Sequence, residues 1–137
     1  MENEKPKLGD IYLMNFSGIG SEQKGVRPGI IFQNDVGNDK SPNVIALPLT
    51  TKIKNLNQPT HVLLPAEKYS LVADSLVLCE NPQRMSKLRL SKYLGSLEKD
   101  DMKSVAIGSI LSSSAVSLLS KEELIEAWQT SKKIQGG

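Results

Sequence analysis

The sequence predicts an α+β fold dominated by β-structure, a small and strongly bent antiparallel β-barrel or curled sheet followed by C-terminal helices. Short apolar runs bounded by Gly, Pro, Asn or Asp recur about every ten to sixteen residues, a pattern typical of small barrels and sandwiches. No long helical pattern lies between these runs, which argues against parallel βαβ units. After about Lys92 the apolar residues change to helical spacing.

Five strands are predicted, each from an apolar run with turn-forming residues at its ends. Pro48 lies inside the third run and predicts an edge or bulged position, because proline cannot donate to a sheet ladder. Arg27 and Pro28 come just before the second run, so a fixed positive charge is expected at the mouth of that strand. In chain order the runs read GDIYLMNF, GIIFQND, NVIALPL, THVLLP and SLVLCE.

The first predicted helix follows the strands and has Ser96 as its expected N-cap. The acidic residues Glu98, Asp100 and Asp101 come next, where the helix dipole favours negative charge. Gly108 weakens this helix slightly and allows another element to pack closely against it.

A second helix is predicted in a C-terminal extension, residues 120–134. Ser120 and Glu123 form an S-x-x-E capping box, which satisfies two amide groups at the start of a helix. Trp128, the one tryptophan of the chain, is expected to anchor this helix to the core or to a partner chain.

Length and composition limit the class of protein. A chain of 137 residues is expected to form a single domain over 1–137, with a core at about 8–112. Cys79, the one cysteine, lies in an apolar run and is expected to be a buried thiol rather than a nucleophile. No apolar run is long enough for a membrane span, and the charged first residues lack the apolar core of a signal peptide. A cytoplasmic protein is therefore expected.

The basic residues are unevenly placed, although the net charge is only +2. The segment 84–92, RMSKLRLSK, contains four basic residues and no acidic ones. Such a segment is either a solvated face or a local patch that contacts phosphate groups.

Few side chains offer chemistry. The one histidine, His61, excludes a pair of histidines acting as acid and base, and a hydrogen-bonded structural role is favoured for it. Arg27 begins the second predicted strand and Thr50 ends the third, so in neighbouring antiparallel strands they would meet at one edge. A guanidinium and a hydroxyl together can clamp a phosphate. The alternative is a surface salt bridge at Arg27 and a threonine that only ends its strand.

Several motifs follow one another between residues 8 and 112. They are the opening Gly9–Tyr12, the segments GSEQKGVRP and QNDVGNDKSP, and PTHV followed by DSLVLCE. In this order and spacing they resemble the MazF/PemK (Kid) family of toxin endoribonucleases. The resemblance implies an SH3-like barrel of the MazF/CcdB/Kid type that forms a homodimer.

The resemblance also implies an activity, the metal-independent cleavage of single-stranded RNA at a short sequence. The 2′-hydroxyl attacks the adjacent phosphate and leaves a 2′,3′-cyclic phosphate and a 5′-hydroxyl. A cognate antitoxin protein is expected to fill the RNA groove, and the toxin–antitoxin complex is expected to bind DNA. Neither a metal nor a cofactor is expected.

By position, the resemblance assigns the catalytic arginine to Arg27 and the catalytic threonine to Thr50, with Thr51 as its neighbour. Because arginine stays protonated, Arg27 is expected to stabilise the charge on the phosphorane, and Thr50 to hydrogen-bond a non-bridging oxygen. The general base is then Glu22, Glu80 or solvent. Glu22 is favoured because its loop leads into Arg27.

Further residues are expected to contact RNA. Ser21 and Gln23 match the family's RNA-contacting loop. Asn81, Gln83 and Arg84 follow the acidic position, at a place where many relatives carry an Arg-Thr pair. Because the chain departs from its relatives here, its cleavage sequence cannot be borrowed from any of them.

Three other functions remain open. A toxin of the same fold could poison DNA gyrase, as in the CcdB-like branch, but that branch lacks the pair formed by Arg27 and Thr50. A non-catalytic interaction module of the small-barrel type would keep its function without Arg27. A degenerate toxin kept as a regulatory partner would explain the altered segment 82–86.

Overall fold

Seven strands and four helices lie within residues 5–16 and 25–136, the part of the chain that the computed structural model describes. None of these helices combines the length and hydrophobicity that a bilayer crossing requires. The strands are β1 (Asp10–Phe16), β2 (Gly25–Ile31), β3 (Asn43–Thr50), β4 (His61–Leu64), β5 (Ser75–Leu78), β6 (Gln83–Ser86) and β7 (Leu90–Ser96). The helices are α1 (Asp35–Lys40), α2 (Ala66–Tyr69), α3 (Lys99–Leu111) and α4 (Lys121–Gly136).

The five predicted strands are found, with one shift that matters. β2 begins at Gly25, so Arg27 is the third residue of a strand, and its predicted place at the strand mouth is wrong. The sequence pattern misses β6 and β7. Each carries too many polar residues to read as an apolar run, and each pairs with only one other strand among the described residues.

All strand pairs are antiparallel and follow the path β4-β5-β3-β2-β1-β7, with β6 also paired to β3. The predicted bent antiparallel sheet with C-terminal helices is confirmed. For the described residues the path is open, with β4 and β7 at its ends.

Strand β3 changes its neighbour at Pro48. One edge of β3 pairs with β2, while the other pairs first with β6, at 43–46, and then with β5, at 49–50. The amide of Phe32 donates to the carbonyl of Ile45 (2.8 Å). The backbone N–H and C=O groups of odd-numbered residues in β3 therefore point toward β2, and those of even-numbered residues point toward β5 and β6. The missing N–H of Pro48 therefore points into the gap between β6 and β5. The proline occupies an irregular position, as predicted, but in an interior strand rather than at an edge.

Two clusters of buried side chains lie on opposite faces of the sheet, because successive residues of a strand point to opposite faces. We call one the helix-side core, because α3 covers it through Val105. We call the other the curl-side core, because β6 closes it through Met85. The two cores share no residue. The helix-side core contains Ile11, Ile30, Leu47, Leu49, Leu64, Tyr69, Val77, Cys79, Leu97 and Val105. The curl-side core contains Tyr12, Met14, Phe16, Ile31, Val44, Ala46 and Met85.

Close packing joins α3 to the end of β5. A Cβ atom added to Gly108 would lie 2.8 Å from Cys79 Sγ and 3.3 Å from the carbonyl oxygen of Pro59. The predicted close approach at Gly108 is thus confirmed, and so is the burial of Cys79. Burial raises the pKa of the Cys79 thiol to about 11, so the thiol is protonated at neutral pH and is a poor nucleophile.

Helix α3 starts later than the sequence predicts. Ser96 ends β7, and its hydroxyl donates to Asp10 Oδ1 (2.6 Å), so its predicted role as N-cap is wrong. Glu98 holds the N-cap position, and its amide donates to the hydroxyl of Tyr69 (3.0 Å). A tyrosine from α2 therefore satisfies an amide group at the start of α3.

The hydroxyl of Tyr69 in turn donates to the carboxylate of Asp101, which also accepts from Lys68 Nζ (2.9 Å). Partial burial alone would raise the pKa of Asp101, but the hydrogen bonds from Tyr69 and Lys68 outweigh burial and lower it. The hydrogen bond to Asp101 and a salt bridge to Glu98 Oε1 (3.3 Å) raise the pKa of Lys68. This network fastens α2 to the first turn of α3.

The QNDVGN motif builds α1 and fixes the chain that enters β1. Asn34 caps the helix by accepting from the amide of Gly37 (2.8 Å). Asp35 accepts from the amide of Leu8 (2.7 Å) and from Asn38 Nδ2 (3.0 Å). The motif therefore has a structural role in the described part of the chain.

The predicted capping box of the C-terminal helix is confirmed. The amide of Ser120 donates to Glu123 Oε1 (2.9 Å), and the amide of Glu123 donates to Ser120 Oγ (3.1 Å). Trp128 is 61% exposed, with Lys132 Nζ 5.4 Å from its ring centroid. Its predicted anchoring to the core is therefore wrong.

Substituting Gly108→Ala tests the contact between α3 and β5. Alanine favours a helix over glycine by about 1 kcal/mol, but the clash with Cys79 should cost roughly 1–3 kcal/mol, so we expect a net loss in urea unfolding. The added substitution Cys79→Ala should recover part of that loss. Ser104→Ala, at an exposed position of α3, is the control, and a stabilised Gly108→Ala variant would contradict the close packing.

Substituting Asp101→Asn tests the network between α2 and α3. Because the folded-state pKa of Asp101 is lowered, its contribution to stability is present above the unfolded pKa of about 4. That contribution is lost as the pH falls through the folded pKa. The gap in Tm between wild type and Asp101→Asn should therefore be widest near neutral pH and should close under acid. Asp100→Asn in the same helix turn is the matched control, and an equal gap for both variants would refute this role of Asp101.

Candidate functional site

Arg27 lies where the pairing between β2 and β3 stops. It pairs with Met14 of β1 on one side, while the ladder to β3 ends at Gly29 and Pro48. By the alternation of backbone groups along β2, the amide at position 28 would face β3. Pro28 has no N–H to donate there. The proline therefore explains why the two strands part next to the arginine.

The place where β2 and β3 part forms an opening, and Thr50 lies across it on β3. Continuing the register of β2 and β3 by two residues places Arg27 directly opposite Thr50, and opposite side chains share one face of a sheet. Both side chains are half-buried. Thr50 Oγ1 accepts from the amide of Lys52 (3.1 Å), which leaves the hydroxyl proton available for an acceptor such as a phosphate oxygen.

The curl-side core forms an apolar floor beside this pair. A Cβ on Gly29 would lie 2.7 Å from Met14 Sδ and 2.8 Å from Phe16 Cζ, so only glycine permits this packing. The Nε atom of Arg27 is buried, and Arg27 pairs with Met14 of this core in the register of β1 and β2. A charge beside such a surface acts more strongly on a bound anion than it would in water.

A second group of polar residues lies along the other edge of β3. Glu80 follows β5, and its carboxylate oxygen lies 3.1 Å from His61 Nε2. The other ring nitrogen, Nδ1, lies 3.2 Å from the carbonyl oxygen of Asn55. His61 is thus hydrogen-bonded, as predicted, and its side chain is only 8% exposed. No sequence pattern marks Glu80 as its partner. The two residues meet because β4 pairs with β5 so that His61 faces Leu78, two residues before Glu80.

Strand β6 separates two residues that the sequence analysis groups together. Gln83 pairs with Ala46 of the curl-side core. Its Nε2 atom is buried, and no hydrogen-bond acceptor for it occurs among the described residues. Arg84 is exposed and, one position later, points to the opposite face. Only Gln83 of these two shares a face with the opening beside Arg27.

The remaining candidates are placed as follows. Thr51 is exposed in a bend directly after β3. Asn81 is half-buried in the turn between β5 and β6, where its amide donates to the carbonyl of Leu78 (3.1 Å). Three candidates, Ser21, Glu22 and Gln23, lie outside the described residues.

The chain is similar in sequence to known toxins. The family model of PemK-like, MazF-like toxins of type II toxin–antitoxin systems matches residues 7–108. Endoribonuclease MazF from Staphylococcus saprophyticus is 44% identical over 100 residues, which cover 72% of this chain and 83% of that protein. Helix α4 follows the part of the chain that the family model matches.

Solved structures support the fold. MazF from Deinococcus radiodurans, in its crystal form I, superposes with a TM-score of 0.69 at 23% identity, covering 85% of this chain and all of that one. A mycobacterial endoribonuclease in complex with its cognate antitoxin superposes with a TM-score of 0.63 at 24% identity, covering 78% and 93%.

The match to the family model spans most of the chain and includes the strands that carry Arg27 and Thr50. The protein therefore belongs to the PemK-like, MazF-like family of toxins of type II toxin–antitoxin systems.

Proposed function

We propose that this toxin is a sequence-specific, metal-independent endoribonuclease that cleaves single-stranded RNA in the cytoplasm. The observation that carries the proposal is the end of the β2–β3 ladder at Gly29 and Pro48, which lies two residues from Arg27 on one strand and two residues from Thr50 on the other. A 44% identical relative that bears the name of an endoribonuclease supports it.

The reaction that suits this pair is attack by a ribose 2′-hydroxyl on the neighbouring phosphorus. The bond from phosphorus to the 5′-oxygen breaks, this oxygen takes up a proton from water, and the products carry a 2′,3′-cyclic phosphate and a 5′-hydroxyl. The guanidinium of Arg27 stabilises the charge that builds up on the non-bridging oxygens. The Thr50 hydroxyl donates to one of these oxygens. Neither residue takes the proton of the 2′-hydroxyl, because arginine stays protonated and a threonine hydroxyl is a weak base.

A carboxylate is the proposed general base. Glu22 is the first choice, because its segment leads along the chain into Arg27. Glu80 is the alternative, and its hydrogen bond with His61 holds the carboxylate in one orientation. The same hydrogen bond already occupies one of its carboxylate oxygens. We therefore assign Glu80 and His61 to positioning the RNA and Glu22 to proton transfer.

RNA recognition is proposed for the polar residues on both sides of β3. Thr51 follows the catalytic threonine, while Asn81 and Gln83 border the gap beside Pro48. The buried amide nitrogen of Gln83 suits a base acceptor. Ser21 and Gln23 flank Glu22 in the sequence. Arg84 is exposed on the opposite face, so we propose that it contacts the RNA backbone and not a base.

Two partners are proposed as well. A cognate antitoxin is expected, because a mycobacterial endoribonuclease of the same fold was solved in complex with one. A second copy of the chain is expected to form a homodimer. The rival functions, gyrase poisoning and a non-catalytic module, do not explain why an arginine and a threonine border the place where β2 and β3 part, beside an apolar core.

Substituting Arg27→Ala should lower RNA cleavage about 10²–10³-fold, the usual cost of losing one charge-stabilising donor. Arg27→Lys should recover only part of this, because a lysine cannot form a bidentate contact with phosphate. Primer extension on a long RNA in EDTA would measure the cuts and map the cleavage sequence. Lys99→Ala on α3 is the control, and a wild type that is folded yet cuts no RNA would exclude the enzyme.

The pH dependence of cleavage separates the two carboxylates. Glu22→Gln should abolish the acidic limb of the rate profile, because the base itself is removed. Glu80→Gln and His61→Asn should lower the rate but keep that limb. If Glu80→Gln removes the limb instead, the roles of the two glutamates are exchanged.

A further inference from the structure

A basic turn lies beside the candidate site on the other side of β1. This turn, Lys87–Arg89, is a single 3₁₀ turn that joins β6 to β7. Arg89 Nη1 donates to the carbonyl oxygen of Asn15 in β1 (3.1 Å). The backbone contact holds the guanidinium in a fixed place at the end of β1 that is nearest to Arg27.

The strand register gives the distance between the turn and the site. Met14, which precedes Asn15, pairs with Arg27 on one side and with Leu90 on the other. Because neighbouring strands lie about 4.8 Å apart, the backbones of Arg27 and Leu90 are separated by about 10 Å. Arg89 directly precedes Leu90. A single strand of RNA that passes Arg27 can therefore continue across β1 to the turn.

The charges of the turn are not compensated within the described part of the chain. The salt bridges in that part use Lys5, Lys40, Lys68 and His61 as cations. Neither Lys87 nor Arg89 takes part in one. The bond from Arg89 goes to a neutral carbonyl, which orients the guanidinium but leaves its positive charge free to attract an anion.

Exposed apolar side chains lie next to these charges. Leu88, in the middle of the turn, is 94% exposed, and Val26, which pairs with Asn15, is 66% exposed. Cations next to exposed apolar groups suit a polyanion whose bases are unstacked. They suit a fully hydrated anion such as free phosphate less well.

We propose that the turn Lys87–Arg89 binds phosphate groups of single-stranded RNA other than the one that is cleaved. The turn would thus extend the RNA-binding surface from Arg27 across β1. This inference rests on the proposed function for the nature of its ligand. Phosphate contacts carry no sequence information. The turn therefore adds affinity for long RNA without changing the cleavage sequence. An acidic polypeptide is the other polyanion that the charges would attract, but only RNA must also pass Arg27.

The test compares Lys87→Gln/Arg89→Gln with wild type. Glutamine at position 89 keeps a donor for the carbonyl of Asn15 and removes the charge. Lys99→Gln/Lys103→Gln is the matched control, because it removes two exposed positive charges from α3, which packs near β4. The probes are two 2′-O-methyl RNAs, which cannot be cleaved: one covers only a few nucleotides, and the other is several times longer. Fluorescence anisotropy over a salt titration gives each affinity, and Tm values show that all variants are folded.

For the long RNA, the slope of log K against log salt should fall by about 0.7 for each phosphate that the variant no longer neutralises, or about 1.4 for two phosphates. The ratio of the affinities for long and short RNA should fall several-fold in Lys87→Gln/Arg89→Gln and stay unchanged in the control. An unchanged ratio, or an equal fall in the control, would overturn the inference. An acidic polypeptide would then be the polyanion that the turn binds. Binding is measured without cleavage. A wild type that binds RNA but cuts none would therefore refute the proposed enzyme and still decide the role of the turn.

Discussion

The geometry of the candidate site depends on one constraint, that strand β3 must change its neighbour at Pro48. A proline cannot donate to a ladder, so β6 and β5 cannot form one continuous strand along this edge. The residues between them, 79–82, do not pair with β3 and include Glu80 and Asn81. On the opposite edge, Pro28 ends the ladder to β2 in the same way. Two prolines thus open β3 on both sides, and polar side chains collect at the openings.

The sequence could predict those parts of the fold that follow from local pattern. Apolar runs marked five strands, and the capping box at Ser120 marked the start of α4, because both signals lie within a few neighbouring residues. The antiparallel pairing of β2 with β3, on which the proposed proximity of Arg27 and Thr50 rests, was also predictable. It needs only two consecutive strands to pair antiparallel, which is the commonest arrangement of neighbours in a β-rich chain.

Contacts between distant residues were beyond the sequence pattern. Ser96 has the chemistry of an N-cap, but a carboxylate 86 residues away in the chain, Asp10, takes its hydroxyl and holds it in β7. His61 meets Glu80 only through the register of β4 and β5. The burial of the Gln83 amide nitrogen depends on β6, a strand too polar to be recognised. In each case tertiary pairing decides between several local choices of similar free energy.

The one tryptophan of the chain lies in α4, outside the sheet, and its ring is largely exposed to solvent. Intrinsic fluorescence excited at the red edge of the protein absorption band therefore reports on the C-terminal helix and not on either core. A melting curve recorded in this way follows the detachment or fraying of α4. The sheet that carries Arg27 and Thr50 contributes no tryptophan emission to it. The same property makes Trp128 a built-in probe of whatever binds this helix, without interference from the barrel.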